Sequence, residues 1–130
     1  MLQKGDAGTL YYMPPEFFRS EQATFAVDIW ALGCIFHELM TGDVLFKSPD
    51  PSQNTKPTIS KRILTSHPKR LPLKYSREFR HLVLTMLAQD PAMRPTAAEI
   101  RMTKVCCPPD MAELDESFCI SESSSTLLST

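Results

Sequence analysis

Glycine is scarce in this 130-residue chain: four glycines stand against eleven prolines. Many φ angles are therefore fixed and few positions are free to take φ > 0, so a glycine-rich phosphate cradle has nowhere to sit. Charge of one sign is also lacking. Fourteen basic and fifteen acidic residues leave a net charge of −1, which argues against a protein that tracks nucleic-acid phosphates or a polybasic membrane binder. No run approaches the roughly 18 apolar residues that would span a bilayer. The opening Met1-Leu2-Gln3-Lys4-Gly5-Asp6 lacks the basic-then-apolar order of a secretory signal. No nucleic-acid partner and no membrane partner are expected, and the chain reads as intracellular.

Metal and disulfide chemistry are equally poorly supplied. Cys34, Cys106, Cys107 and Cys119 form no C-x-x-C pair, and His37, His67 and His81 are scattered. These spacings point to neither a zinc site nor a disulfide framework, and Cys34, inside an apolar run, reads as a small buried hydrophobe. No metal site is expected.

What the chain does have is a 42% hydrophobic content, sufficient for the core of one domain in a chain of this length. Its character changes near residue 103. Residues 104–130 carry Lys104 against five acids, Asp110, Glu113, Asp115, Glu116 and Glu122, and end in the Ser-rich run 121–126. That composition cannot bury enough apolar surface to order itself, so 104–130 reads as a disordered acidic tail behind a Pro108-Pro109 hinge. Residues 1–103 are the folded body.

In the body helix signals dominate and strand signals are nearly absent, so the fold class is mainly α. The spacing predicts a helix over about 26–40, closed by Gly42 just past its end. Its apolar residues leave almost no polar face, so other elements must surround it. A second helix is predicted over 76–88 with Ser76 as its cap and Phe79, Leu82, Val83, Met86 and Leu87 as its stripe. A third starts at the capping box Thr96-Ala97-Ala98-Glu99, and a weaker one covers 58–64. Residues 44–57, broken by Pro49, Pro51 and Pro57, read as loop. An apolar helix at the centre of so few elements looks like part of something larger.

Three stretches carry that idea: Gly8-Thr9-Leu10-Tyr11-Tyr12-Met13-Pro14-Pro15-Glu16, then Asp28-Ile29-Trp30-Ala31-Leu32-Gly33-Cys34-Ile35-Phe36-His37-Glu38-Leu39, then Leu87-Ala88-Gln89-Asp90-Pro91-Ala92-Met93-Arg94-Pro95-Thr96. In order and spacing they resemble the last part of a eukaryotic protein kinase catalytic domain. The match runs from the end of the activation segment through the helices of the large lobe. The wording of the first two is most similar to the NIMA-related serine/threonine kinases, and the resemblance covers about residues 5–103.

Each motif implies a role. Pro14-Pro15-Glu16 resembles the kinase A-P-E signature, with proline where alanine or serine is usual. The resemblance implies a buried ion pair between Glu16 and Arg94. Read without it, Glu16 simply opens a short helix after two prolines. Asp28 is implied to be a second buried charge, accepting hydrogen bonds from catalytic-loop amides; the plain reading is a carboxylate favoured by a helix N-terminus. Trp30 is implied to pack near the P-P-E segment, and Gly33 to admit a neighbouring element. Ile35 and Leu39 match positions that support the hydrophobic column under the nucleotide site. Gly8, Thr9 and Tyr12 are implied to line the floor where a substrate peptide lies, and Gly-Thr points to serine/threonine rather than tyrosine as acceptor.

A complete kinase also needs a Gly-rich loop, a strand lysine, an H-R-D loop and a D-F-G aspartate, and none of these occurs here. The resemblance implies ATP and Mg²⁺ for the full-length family, with no binding site for either in this chain and no catalytic residue. The expected function is that of a C-terminal fragment of a serine/threonine kinase acting on protein Ser/Thr acceptors in the cytoplasm rather than the nucleus. Its expected partner is the missing N-terminal part of the kinase domain. The alternative is a catalytically inactive kinase-like module that works by binding proteins.

Overall fold

A computed structural model of the protein describes residues 7–106. The expected tail from residue 107 onward, with Cys107, Cys119 and the Pro108-Pro109 hinge, lies outside the described residues, as do Gly5 and Asp6. Among the described residues every regular element is helical: α1 (Ala7–Leu10), α2 (Pro15–Phe18), α3 (Ala26–Thr41), α4 (Lys56–Thr65), α5 (Arg77–Met86) and α6 (Ala97–Arg101), with 3₁₀ turns at Pro51–Gln53 and Pro91–Met93. The described residues divide into two compact units, with the break between Ala97 and Ala98. No helix among the described residues is long and apolar enough to cross a membrane.

The local chemistry explains each boundary. Pro15 opens α2 where a missing N–H costs nothing. Gly42 ends α3 in the left-handed region at φ 79°, its amide donating to the Glu38 carbonyl at 2.7 Å. Ser76 caps α5 by accepting from the Phe79 amide. The helix then stops at Met86, two residues short of the expected end. The Leu87 and Ala88 amides tighten onto the Leu84 and Thr85 carbonyls, and the Ala88 carbonyl accepts instead from Arg94 Nε at 2.9 Å. In the 98–130 unit, α6 is followed by a turn in which the Thr103 hydroxyl donates to the Ile100 carbonyl.

The core of the first unit gathers around α3. Trp30, Phe46, Ile59, Ile63, Val83 and Met86 are fully buried, each side chain contributing about 1.5–3 kcal/mol relative to exposure. Trp30 stacks parallel on Phe46 with centroids 5.8 Å apart, and Phe36 meets Phe79 of α5 edge to face at 5.7 Å. Gly33 is where α5 comes closest. A Cβ there would lie 2.9 Å from Met86 Cβ and 3.0 Å from Leu87, so only glycine permits this approach.

The sequence implies that α3 needs more cover than so few elements supply, and the structure covers it on one side. At 100° per residue, the buried Ile29, Trp30, Gly33, Cys34, His37 and Met40 occupy one side of the helix. Asp28, Ile35 and Leu39 fall on a stripe centred opposite His37, and all three are exposed, Ile35 to 47% and Leu39 to 72%. Asp28 is thus not the buried charge expected, and Ile35 and Leu39 are not core residues here. The physical reason is that α5 packs on the Gly33 side of α3, and the stripe faces away from it.

Candidate functional site

The segment carrying Thr9, Tyr12 and Glu16 is held on the helical core by two side-chain ties. The first is an ion pair. Arg94 sits just after the 3₁₀ turn Pro91–Met93, whose start is capped by Asp90 accepting from the Ala92 amide at 2.9 Å. That turn aims the guanidinium inward. Its NH1 and NH2 groups each donate to one Glu16 carboxylate oxygen at 2.7 Å, with both side chains fully buried. NH1 also donates to the Ala26 carbonyl at 2.9 Å, and Nε to Ala88 as above. The guanidinium carbon lies 5.0 Å from the Trp30 ring centroid, a cation–π distance. One arginine therefore joins α2, the start of α3 and the end of α5.

Two parallel charge-assisted bonds are the geometry in which a buried arginine is best satisfied. Burial alone would raise the Glu16 carboxyl, but the bonds from Arg94 outweigh it and hold the pKa below its ordinary 4.5. Glu16 also opens the short helix α2, so the pair and the helix start coexist. A neighbouring bond supports the clasp: Arg19 donates to Gln89 Oε1 at 3.0 Å, while Gln89 Nε2 donates to the Ile63 carbonyl at 2.8 Å.

The second tie is Tyr12. Its hydroxyl donates to Glu38 Oε2 at 2.6 Å. That hydrogen bond, with burial and the carboxylate charge adding to it, pushes the phenol up to about 12, so Tyr12 stays a neutral donor. Gly8 and Thr9 lie in α1, where the Thr9 carbonyl accepts from the Tyr12 amide at 3.1 Å and Thr9 itself is exposed. Thr9 and Tyr12 thus fall on one hydrogen-bonded turn, while Asp28, Ile35 and Leu39 form the separate α3 stripe.

Four contributors escaped the sequence reading. Glu38 is a carboxylate amid the apolar C-terminal half of α3, a signal for a specific partner. His37 falls seven residues after Trp30 and three after Cys34, on the buried stripe. Its Nε2 lies 2.9 Å from the Lys69 carbonyl, and its Nδ1 is buried without a partner among the described residues. Burial pushes the imidazole below its ordinary 6.5, and pushes the Cys34 thiol up to about 12, which leaves that thiol inert. The Ala26 and Ala88 carbonyls that feed Arg94 carry no side-chain signature at all.

The regular elements of the described residues are all helical, as those of the C-terminal lobe of a protein kinase domain are. The family model for the protein kinase domain matches residues 3–106, and the chain belongs to that family. Its relatives include serine/threonine-protein kinase Nek4 of Mus musculus, 34% identical over 93 residues that make up 72% of this chain and 11% of that protein. Nek9 of Xenopus laevis is 36% identical over 93 residues, 72% of this chain and 10% of its own length. An Aurora kinase of Debaryomyces hansenii is 37% identical over 93 residues, 72% of this chain and 21% of its own. The similarity to NIMA-related kinases is therefore established, and the chain spans about a tenth of the length of the two Nek relatives.

The family generally uses ATP and Mg²⁺. Among the described residues no three His, Cys, Asp or Glu side chains converge as a metal-ligand set, and the sequence offers no glycine loop to cradle phosphates.

Proposed function

We propose that this chain is the activation-segment end and helical support of a serine/threonine protein kinase. In the whole protein, the ATP γ-phosphate passes to Ser or Thr hydroxyls of protein substrates. The bidentate Arg94–Glu16 clasp carries the reading. It fixes the segment containing Gly8, Thr9 and Tyr12 against the helices, and positioning is most of what a kinase contributes to phosphoryl transfer. Thr9, exposed on α1, and Tyr12, anchored by Glu38, form the floor on which a substrate peptide lies. The exposed stripe of Asp28, Ile35 and Leu39 is the seat of the N-terminal part of the kinase domain. The body is residues 1–103, the tail 104–130, and the setting is the cytoplasm.

Alone, the chain carries none of the groups that hold Mg-ATP or accept the substrate proton, and it does not phosphorylate. A thermal melt of the 130-residue protein tests this. Saturating Mg-ATP is expected to leave the midpoint unchanged, and a rise of several degrees would overturn the reading, since ligand binding stabilises by mass action.

A second reading, a non-catalytic module that binds proteins, draws on the fact that the described residues build their own buried core around Trp30 and Ile63. An immunoblot of the native product separates the two. A band far heavier than 130 residues supports the kinase, and a band at that size supports the module.

A further inference from the structure

The loop after α3 and helix α4 enclose a cleft of about 510 Å³ whose walls carry three cations, Lys47, Arg62 and Lys69, against one carboxylate, Asp43. Lys69 and Asp43 approach only to 4.0 Å, with both side chains 70% exposed. Lys47 and Arg62 have no ion-pair partner among the described residues. The cleft therefore holds a surplus of two positive charges in a chain whose net charge is −1.

Its wall is built rather than floppy. The Ser48 amide donates to Asn54 Oδ1 at 2.7 Å, and Asn54 Nδ2 donates back to the Ser48 carbonyl at 3.1 Å. Asp50 caps the following turn by accepting from the Ser52 amide at 3.0 Å. Pro49 and Pro51 fix two more φ angles between these bonds. A wall ordered before binding loses little entropy on binding. Ser48 is nearly buried, and its Oγ accepts from the Asp50 amide, which leaves its hydroxyl hydrogen to donate.

We infer that this cleft binds a phosphoserine or phosphothreonine carried on a peptide segment of a partner protein. A phosphomonoester brings a charge of about −1.5 to −2 at pH 7 and three acceptor oxygens. That matches the two-cation surplus, and Arg62 can meet two of the oxygens at once. A lone carboxylate would neutralise only half of it. The volume far exceeds one phosphate, and the apolar walls at Val44 and the two prolines suit residues flanking the phosphate. No aromatic side chain lines the cleft, so it has no stacking platform for bases or for single-stranded nucleic acid. The inference draws on this cleft alone and stands apart from the kinase reading.

Fluorescence anisotropy of the 130-residue protein with a labelled phosphoserine peptide pool of degenerate flanks, set beside its unphosphorylated twin, tests it. The phosphopeptides are expected to bind and the twin to bind at least tenfold more weakly. Lys47→Ala, Arg62→Ala and Lys69→Ala should each weaken binding roughly two- to fivefold, the scale of exposed ion pairs, and added salt should weaken it further. The Lys47→Glu/Arg62→Glu variant should lose binding while keeping its helical circular dichroism. Equal binding of the two peptide pools, or undiminished binding by that folded variant, would overturn the inference. So would inorganic phosphate or a single-stranded oligonucleotide competing as well as the phosphopeptide.

Discussion

Arg94 makes four hydrogen bonds and one ring contact from a buried position. Removing either member of its pair with Glu16 strands the other charge in the core. Arg94→Ala and Glu16→Ala are each expected to cost about 3–5 kcal/mol. The double variant should cost far less than their sum, because the stranded charge is gone. Urea melts of the four proteins measure this, and strict additivity would remove the pair from the account. The two partners were legible in the sequence, because a Glu after Pro-Pro and an Arg before a Pro are both visible 78 residues apart. The backbone carbonyls that complete the arginine's shell were not, since any residue can supply a carbonyl. Asp28 shows the opposite failure. Asp28 was expected to be buried and is exposed, because burial depends on what packs over a residue and a motif names only the residue itself.

At the scale of elements, α3 is the informative case. Composition alone put apolar residues around its whole circumference and implied more cover than so few elements can supply. The structure covers one side, around Gly33, and leaves Ile35 and Leu39 in solvent. Ile35→Lys and Leu39→Lys should therefore change the unfolding free energy by no more than about 0.5 kcal/mol each, as exposed sites do. They should also reduce self-association, because an exposed apolar stripe is a liability. Light scattering and denaturant melts read the two effects, and a large loss of stability would mean that the stripe is packed. Two helix boundaries were easier to read, because Gly42 after α3 and Ser76 before α5 are local signals for local geometry. The end of α5 was not, because Arg94, eight residues past Met86, decides where that helix stops.

For the whole molecule, His37 makes stability depend on pH between neutrality and mild acid. His37 is buried and its pKa lies below 6.5 in the fold. Well above 6.5 the imidazole is neutral in both states and contributes no pH dependence. As pH falls below 6.5 the unfolded chain takes up a proton that the folded one resists, so stability declines. The melting midpoint is expected to drop between pH 7.5 and pH 5.5, and His37→Phe should flatten that profile. Glu16 adds its own loss at lower pH. Its carboxyl is held below 4.5, so its contribution is complete above that value and disappears as pH falls through the folded pKa. A profile that stays flat down to pH 5.5 in the unmodified protein would contradict the burial of His37.

The Glu16–Arg94 clasp also has a kinetic meaning. It closes a ring of chain between two residues 78 positions apart without a covalent bond. Closing so long a loop is entropically costly, and contacts so far apart in sequence form only after local helices and their packing are in place. The clasp is thus a late event on the way in and an early barrier on the way out. Arg94→Ala should leave the refolding limb of a chevron nearly unmoved and raise the unfolding rate. What the clasp sets is the lifetime of the folded state rather than the speed of reaching it.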